Sequence, residues 1–193
     1  SSSKHPVSDL SSYERADFAI NMIVRTDISI RRMVLTDIPA VFTIDQASAA
    51  LYWPQSSYYF EVERNEASRP WVAVDAQQRV CGFLVLWLIM DELHVANFAV
   101  HPDYRRRGIG DALMQNGLYE GWKEGARISY LEVRAGNSAA ISLYEKIGYR
   151  VVNIRRHYYQ DNHEDALMMN LEKQDYQTYI LTLEKLWMIP TKK

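Results

Sequence analysis

The spacing of apolar and polar positions changes repeatedly along the chain, and each change predicts an element. Ile28 to Met33 alternates like a half-buried strand. Thr36 or Asp37 is placed to cap a helix that carries Pro39 in its opening turn and runs to about Ser48. Leu51 to Phe60 is aromatic and interrupted by Pro54, which reads as a packed loop. Trp71 to Asp75 and Val80 to Ile89, joined through Ala76 to Arg79, predict a hairpin, with Glu92 to Val100 as a third neighbour. Gly110 to about Glu124 reads as a helix halted at Gly125, and Ile128 to Val133 as a β-rich strand. A further helix runs from an Asn137 cap to Ile147 and stops at Gly148; strands follow at Tyr149 to Tyr158 and Glu164 to Leu171.

This order, with helices between strands and a final strand pair, argues for an α/β domain built on a central mixed sheet. Beyond Leu171, the residues Tyr176, Tyr179, Ile180, Leu183, Leu186 and Trp187 recur at helical spacing, so an amphipathic helix ending at Pro190 is expected. It packs on its own domain or serves a homodimer or partner groove. At the other end, residues 1–12 are polar and expected to be mobile, and Tyr13 to Val24 has the pattern of a short helix. The expected organisation is an N-terminal extension (1–26), one domain (27–172) and a C-terminal helical extension (173–193).

Composition narrows the function classes. A length of 193 residues suits one full core, and 48% hydrophobic with 24% charged residues is typical of a soluble globular chain. The 22 basic and 24 acidic residues leave a formal charge of −2, which gives no general attraction for nucleic acid. The longest apolar stretch, Cys81 to Met90, is half the length a bilayer span needs, so no membrane partner is expected. No secretion signal is seen, and the single cysteine, Cys81, allows no intrachain disulfide. Both point to the cytoplasm, with Cys81 as a small core residue.

The segment with most chemistry is Asn97-Phe-Ala-Val-His-Pro-Asp-Tyr-Arg-Arg-Arg-Gly-Ile-Gly110, a strand that leads through a basic, glycine-punctuated loop into a helix. Helix N-termini present unpaired N–H groups and a positive dipole end, and Gly108 and Gly110 permit close backbone approach. Arg105, Arg106 and Arg107 add positive charge. A solvated basic patch is the plain alternative; a diphosphate-bearing cofactor is the functional one. Leu113 stands where a dinucleotide fingerprint needs a third glycine, and the Gly-Lys-Ser/Thr of a Walker loop is absent, so another cofactor class is indicated.

Arg105-x-x-Gly108-x-Gly110, followed by Glu132, Asn137 and Tyr144, resembles the GNAT superfamily of acyl-CoA-dependent N-acyltransferases. The run from Leu131 to Tyr149, then Arg155-Arg-His-Tyr-Tyr159 and His163-Glu-Asp-Ala-Leu-Met-Met169, is similar to the RimI branch, the ribosomal-protein alanine N-acetyltransferases, and to related N-terminal acetyltransferases. The likeness is dense from about residue 91 to 171 and weaker from about 28 to 90. It implies a GNAT fold with a mostly antiparallel sheet of about seven strands, splayed after the fourth to admit acetyl-CoA. It further implies that the backbone of Arg106 to Asp111, including Ile109, holds the pyrophosphate with Arg105 nearby. The pantetheine arm would lie along Phe98, Ala99 and Val100, with Asn137 bonded to it as well as capping its helix. No metal is called for.

On the same resemblance Glu132 is the base, turned away from the face occupied by Leu131 and Val133, and Tyr144 is the proton donor. Without it, Glu132 reads equally as an exposed carboxylate paired to Arg134, and Tyr144 as core. A backbone N–H at a bulge near Asn97 to Ala99 would face the thioester oxygen. His94 is expected outside the chemistry. Tyr158, Tyr159, Glu164 and Asp165 flank the element that covers the peptide in N-terminal acetyltransferases; Glu61, Glu63 and Glu66 form either an acidic rim or a solvated helix face. The Gln160 to His163 connection is short, and Tyr52-Trp-Pro-Gln-Ser56 departs from the enterobacterial pattern. The expected activity is acetyl transfer to a protein N-terminus, by that resemblance a ribosomal protein's alanine, through direct transfer in a ternary complex. The rivals are a small-amine acetyltransferase and a non-catalytic acyl-CoA-binding module.

Overall fold

The structure, a computed structural model, describes residues 27–49 and 51–188. The polar start, the Tyr13 to Val24 helix and the Pro190 stop expected from the sequence lie outside the described residues. Strand β1 (Ser29–Arg32), a 3-10 turn at Leu35–Asp37 and helices α1 (Ile38–Ser48) and α2 (Gln55–Glu63) come first. Strands β2 (Ser68–Val74), β3 (Val80–Ile89) and β4 (Glu92–Val100) follow, then a 3-10 turn at Pro102–Tyr104 and helix α3 (Ile109–Lys123). The chain continues through β5 (Ile128–Arg134), α4 (Ser138–Ile147), β6 (Arg150–Arg155), β7 (Ala166–Leu171) and α5 (Lys173–Met188).

The seven strands form one sheet in the order β1-β2-β3-β4-β5-β7-β6, and every neighbouring pair is antiparallel except β4 and β5. Strand alternation sorts the core into two layers. Leu84 and Leu86 face α3 and α5, while Phe83 and Val85 face α1 and α2 with Ile38, Val41, Ile44 and Tyr58. Helix α3 sits unusually close to the sheet. A Cβ at Gly117 would lie 2.7 Å from the Leu84 and Leu86 side chains, and one at Gly121 2.6 Å from Leu93, so glycine sets the depth of that contact.

Two details differ from the sequence-based expectation. The aromatic stretch after Leu51 is not all loop: Pro54, at φ −56°, ends it, and α2 starts at the next residue because Tyr58 and Glu61 give one side of the helix a buried face. Asp37 precedes α1 as expected but does not cap it. Its carboxylate accepts the Val34 N–H (2.8 Å) and pairs with Arg31 at 2.7 and 2.9 Å, tying the turn to β1.

The decisive feature lies at the middle of the sheet. β4 and β5 are paired only over Glu92–His94 and Ile128–Tyr130. Just beyond, Leu86 faces Val95 and Val85 faces Asn97, which leaves Ala96 as the extra residue of a β-bulge. The strands then separate.

Helix α5 packs on its own domain. Tyr176, Ile180, Leu183 and Trp187 are buried, Tyr176 Oη donates to the Leu118 carbonyl (2.7 Å), and Trp187 meets Tyr119 edge-on with ring centroids 4.6 Å apart. Tyr176→Ala should therefore cost about 3–5 kcal/mol of stability, and Leu186→Ala, on the exposed side, under about 0.5 kcal/mol. Urea unfolding midpoints of the two variants measure the difference; equal small losses would mean that α5 is not part of the core.

Candidate active site

The gap between β4 and β5 opens into two cavities that meet. The first, of about 880 Å³, runs from the arginine-glycine loop past Phe98, Ala99 and Val100 to Asn137 and Tyr144. At its loop end Arg106 and Gly108 both adopt positive φ (62° and 78°), and Gly108 is the residue before α3. Alternation of this kind turns successive N–H groups inward, and Ile109, Gly110 and Asp111 are the first helical residues, whose N–H groups have no partner within the helix. Arg105 and Arg106 line the cleft; Arg105 is braced on the Val100 carbonyl (3.2 Å) and the Ser48 hydroxyl (3.3 Å). Arg107 is turned away over the Tyr104 ring, 5.1 Å from its centroid, and contributes backbone.

An anion-binding end, an apolar wall of Phe98, Val100, Ala140 and Leu143, and polar groups at the far end suit an elongated cofactor with a diphosphate and a thioester arm. Tyr144 supplies a second sign of fit: among the described residues its hydroxyl has no hydrogen-bond partner, although the side chain is 5% exposed. Burial pushes its pKa well above the ordinary 10.0, so the hydroxyl keeps its proton. Asn137 caps α4 through the Ala140 N–H (3.2 Å) and lines both cavities.

The second cavity, about 370 Å³, lies on the other side of Tyr144 and contains Glu132. Leu131 and Val133 are buried while Glu132 is partly exposed, as strand alternation predicts. Its partner is Arg155 of β6 (3.2 Å), not Arg134. Glu132 lies in the second cavity only; Tyr144, Phe98 and Asn137 belong to both. His94 is in neither. It stacks on Tyr130 at 5.1 Å and bonds Glu92 at 2.9 Å.

Side-chain contacts that sequence pattern does not announce border this cavity. Asp45, 2% exposed, accepts hydrogen bonds at Oδ2 from Tyr58 Oη (2.6 Å), the Trp53 N–H (2.9 Å) and Asn97 Nδ2 (3.2 Å). Asn97 Nδ2 also reaches Tyr58 Oη (2.9 Å), and its Oδ1 accepts the Phe98 N–H (2.9 Å). The bulge is thus clamped to α1 and α2. It falls at Ala96, one residue before the Asn97 to Ala99 stretch expected from the sequence, and of the N–H groups expected to face the thioester oxygen that of Phe98 is engaged by Asn97 instead. A polar Asp on the apolar side of α1, beside Ile44, and an Asn in an apolar strand were the available signals.

The turn between β6 and β7 borders the second cavity. Arg134 lies over the Tyr159 ring (3.7 Å to the centroid) and pairs with Asp161 (3.0 Å) and Glu164 (3.3 Å). Glu164 also accepts the Gly136 N–H at 2.6 Å. Asp165 binds Arg156 (2.7 Å) and the His157 N–H (2.9 Å). Hydrogen bonds from Arg134 hold Asp161 below the usual carboxylate range; the Asn162 amide and Gly136 N–H do so for Glu164, and the His157 N–H for Asp165. These contacts stabilise the turn fully above the ordinary carboxylate range, and the stabilisation is lost as pH falls from that range through the lowered folded values. Of the four expected peptide contacts, Tyr159 and Glu164 line the cavity, whereas Tyr158 and Asp165 do not.

Comparisons with known proteins agree with this geometry. The model of the acetyltransferase (GNAT) family matches residues 37–149. The [ribosomal protein bS18]-alanine N-acetyltransferase of Salmonella typhimurium is 37% identical, with 70% of this chain and 91% of that protein covered. An N-alpha-acetyltransferase of Sulfurisphaera tokodaii is 36% identical over 72% and 90% of the two chains. The crystal structure of the ribosomal-protein-S18-alanine N-acetyltransferase from Escherichia coli superposes with a TM-score of 0.70 at 34% identity, covering 76% of this chain and 94% of that one. Together with the splayed sheet, the glycine-punctuated basic loop before α3, and Glu132 and Tyr144 at the gap, these matches leave one assignment: the chain belongs to the GNAT acetyltransferase family and, within it, to the RimI-like N-acetyltransferases.

Proposed function

We propose that the chain acetylates the α-amine of a protein N-terminus, with alanine as first residue and a ribosomal protein as substrate, by direct transfer in a ternary complex in the cytoplasm. The observation that carries the reading is the junction of the two cavities: Tyr144 belongs to both, while Glu132 belongs only to the one on the acceptor side. The names of the relatives support the choice of acceptor.

Acetyl-CoA, when bound, supplies the activated acetyl thioester. The loop backbone from Arg106 to Asp111, with Arg105, would hold its diphosphate, and Phe98, Ala99, Val100 and Asn137 its arm. An α-amine titrates at about 7.7–8.0, so a modest base suffices. Glu132 takes the amine's proton, and its partner Arg155 must leave or share the carboxylate when a cationic amine arrives. Tyr144 keeps a proton on Oη where sulfur would depart. Tyr159 flanks the peptide, and Glu164 acts mainly by holding the covering turn through Gly136 and Arg134.

The test is acetyl-CoA consumption against peptides that differ in their first two residues, alongside spermidine and free lysine. Turnover confined to Ala- or Ser-starting peptides, reduced about hundredfold in Glu132→Gln, is expected; turnover of the small amines alone would replace this reading with its rival. Tyr144 gives a second prediction. Because burial raises its pKa, activity should rise as the amine deprotonates near pH 8 and hold a plateau to about pH 10 rather than decline there. A pH–rate profile that falls with a midpoint below about 9.5 would remove Tyr144 from the donor role.

A further inference from the structure

A third cavity is walled by aromatic side chains around one buried carboxylate. Helix α2 buries two residues, Tyr58 and Glu61. Tyr58 belongs to the Asp45 clamp. Glu61 is 6% exposed, and Trp87 Nε1 (2.9 Å) and Asn65 Nδ2 (3.0 Å) both donate to the same oxygen, Oε2. Both donors are neutral. Among the described residues no Lys, Arg or His pairs with this carboxylate, and Oε1 has no hydrogen-bond partner. Asp45 is also buried without a counter-charge, but it gathers three donors that fix the bulge, whereas Glu61 takes two donors on one oxygen and lines a cavity, a task that Gln would meet without the charge.

The carboxylate lines a cavity of about 380 Å³ walled by Trp53, Phe60 and Trp87, with Ser56 and Ser57 at its edge. The Trp53 and Trp87 rings are stacked, with centroids 6.1 Å apart and planes 21° from parallel. Aromatic faces beside one buried negative charge favour an ammonium or guanidinium over a neutral group. Glu63, on the same helix, is exposed and lines none of the three cavities. The acidic rim considered for Glu61, Glu63 and Glu66 therefore divides: only Glu61 is built into a site.

Trp53 connects this cavity to the chemistry. It lines this cavity, and its backbone N–H donates to Asp45, which lines the acceptor cavity together with Glu132. Trp53 thus belongs both to the wall of this cavity and to the clamp that borders the acceptor cavity. We infer that the Trp53–Trp87–Glu61 cavity receives a Lys or Arg side chain of the acceptor polypeptide, downstream of the residue that is acetylated. This rests on the N-terminal acetylation reading and specifies its substrate class.

The test walks a single Arg along an otherwise uncharged Ala-starting peptide, with citrulline at the same positions as the neutral control. One position should lower KM about tenfold relative to citrulline, with the others near unity. That ratio should collapse towards one in Glu61→Gln, whose amide oxygen still accepts from Trp87 and Asn65, and should persist in Glu63→Gln, which removes the same charge from the exposed side. Calorimetric binding of the Arg and citrulline peptides to the wild-type protein gives the same comparison without turnover or a variant. No position preference, equal preference at every position, or a preference that survives Glu61→Gln would overturn the inference while leaving N-terminal acetylation in place. Failure of the wild-type protein to acetylate any of the peptides, with acetyl-CoA bound normally, would overturn both.

Discussion

β4 and β5 share hydrogen bonds over three residue pairs and then part, leaving two strand edges open inside the protein, and the site is arranged on that interruption. Backbone N–H and C=O groups left unpaired in a sheet demand partners. Here the stretch from Phe98 to Val100 instead forms the wall of a cleft deep enough to take a long cofactor arm. The extra residue Ala96 bends β4 at the point where pairing stops, and the Asp45 carboxylate, through Asn97, fixes that bend to the first two helices. A buried carboxylate suits this position because it collects three donors from three separate segments and makes a local irregularity into a rigid one.

The other parts take their positions from the same gap. Glycines at 117 and 121 seat α3 against β3 and β4, so its N-terminus, with the arginine loop before it, lies at one end of the opening. β5 carries Glu132 along the far edge, and α4 lays Tyr144 across the middle, its hydroxyl without a hydrogen-bond partner among the described residues. Arg134, two residues beyond Glu132, holds the β6–β7 turn at the second cavity by a stacked ring and two carboxylates. Glu132, Tyr144 and the β6–β7 turn thus come from neighbouring elements around a single opening, where the proposed base, donor and cover would act together.

Local pattern made much of this legible before any coordinates. The strand alternation, the Asn137 cap, the Gly148 stop and the glycine loop each depend on residues adjacent in sequence, and their structural counterparts follow closely. The resemblance that pointed to Glu132 and Tyr144 also rests on a continuous run. What escaped is what the fold brings together from far apart. Asp45 and Asn97 are 52 positions apart, and Glu132 and Arg155 are 23 apart. No periodicity announces either contact. The start of α2 was hidden because its aromatic, polar sequence has little amphipathic contrast, and because Pro54 reads equally as a loop residue and as a helix entrance. Glu61 looked like one of several surface carboxylates until packing enclosed it and left its neighbours in solvent.

The assignment of the acceptor cavity requires that the amine meeting the gap be a polypeptide's own N-terminus. Incubating an Ala-starting peptide that also contains an internal lysine with acetyl-CoA, and locating the acetyl group by fragmentation mass spectrometry, reads this out site by site. A single acetyl group on the α-amine is expected, and none there when the first residue is supplied already blocked. Modification of the lysine side chain with the α-amine left free would refute the assignment.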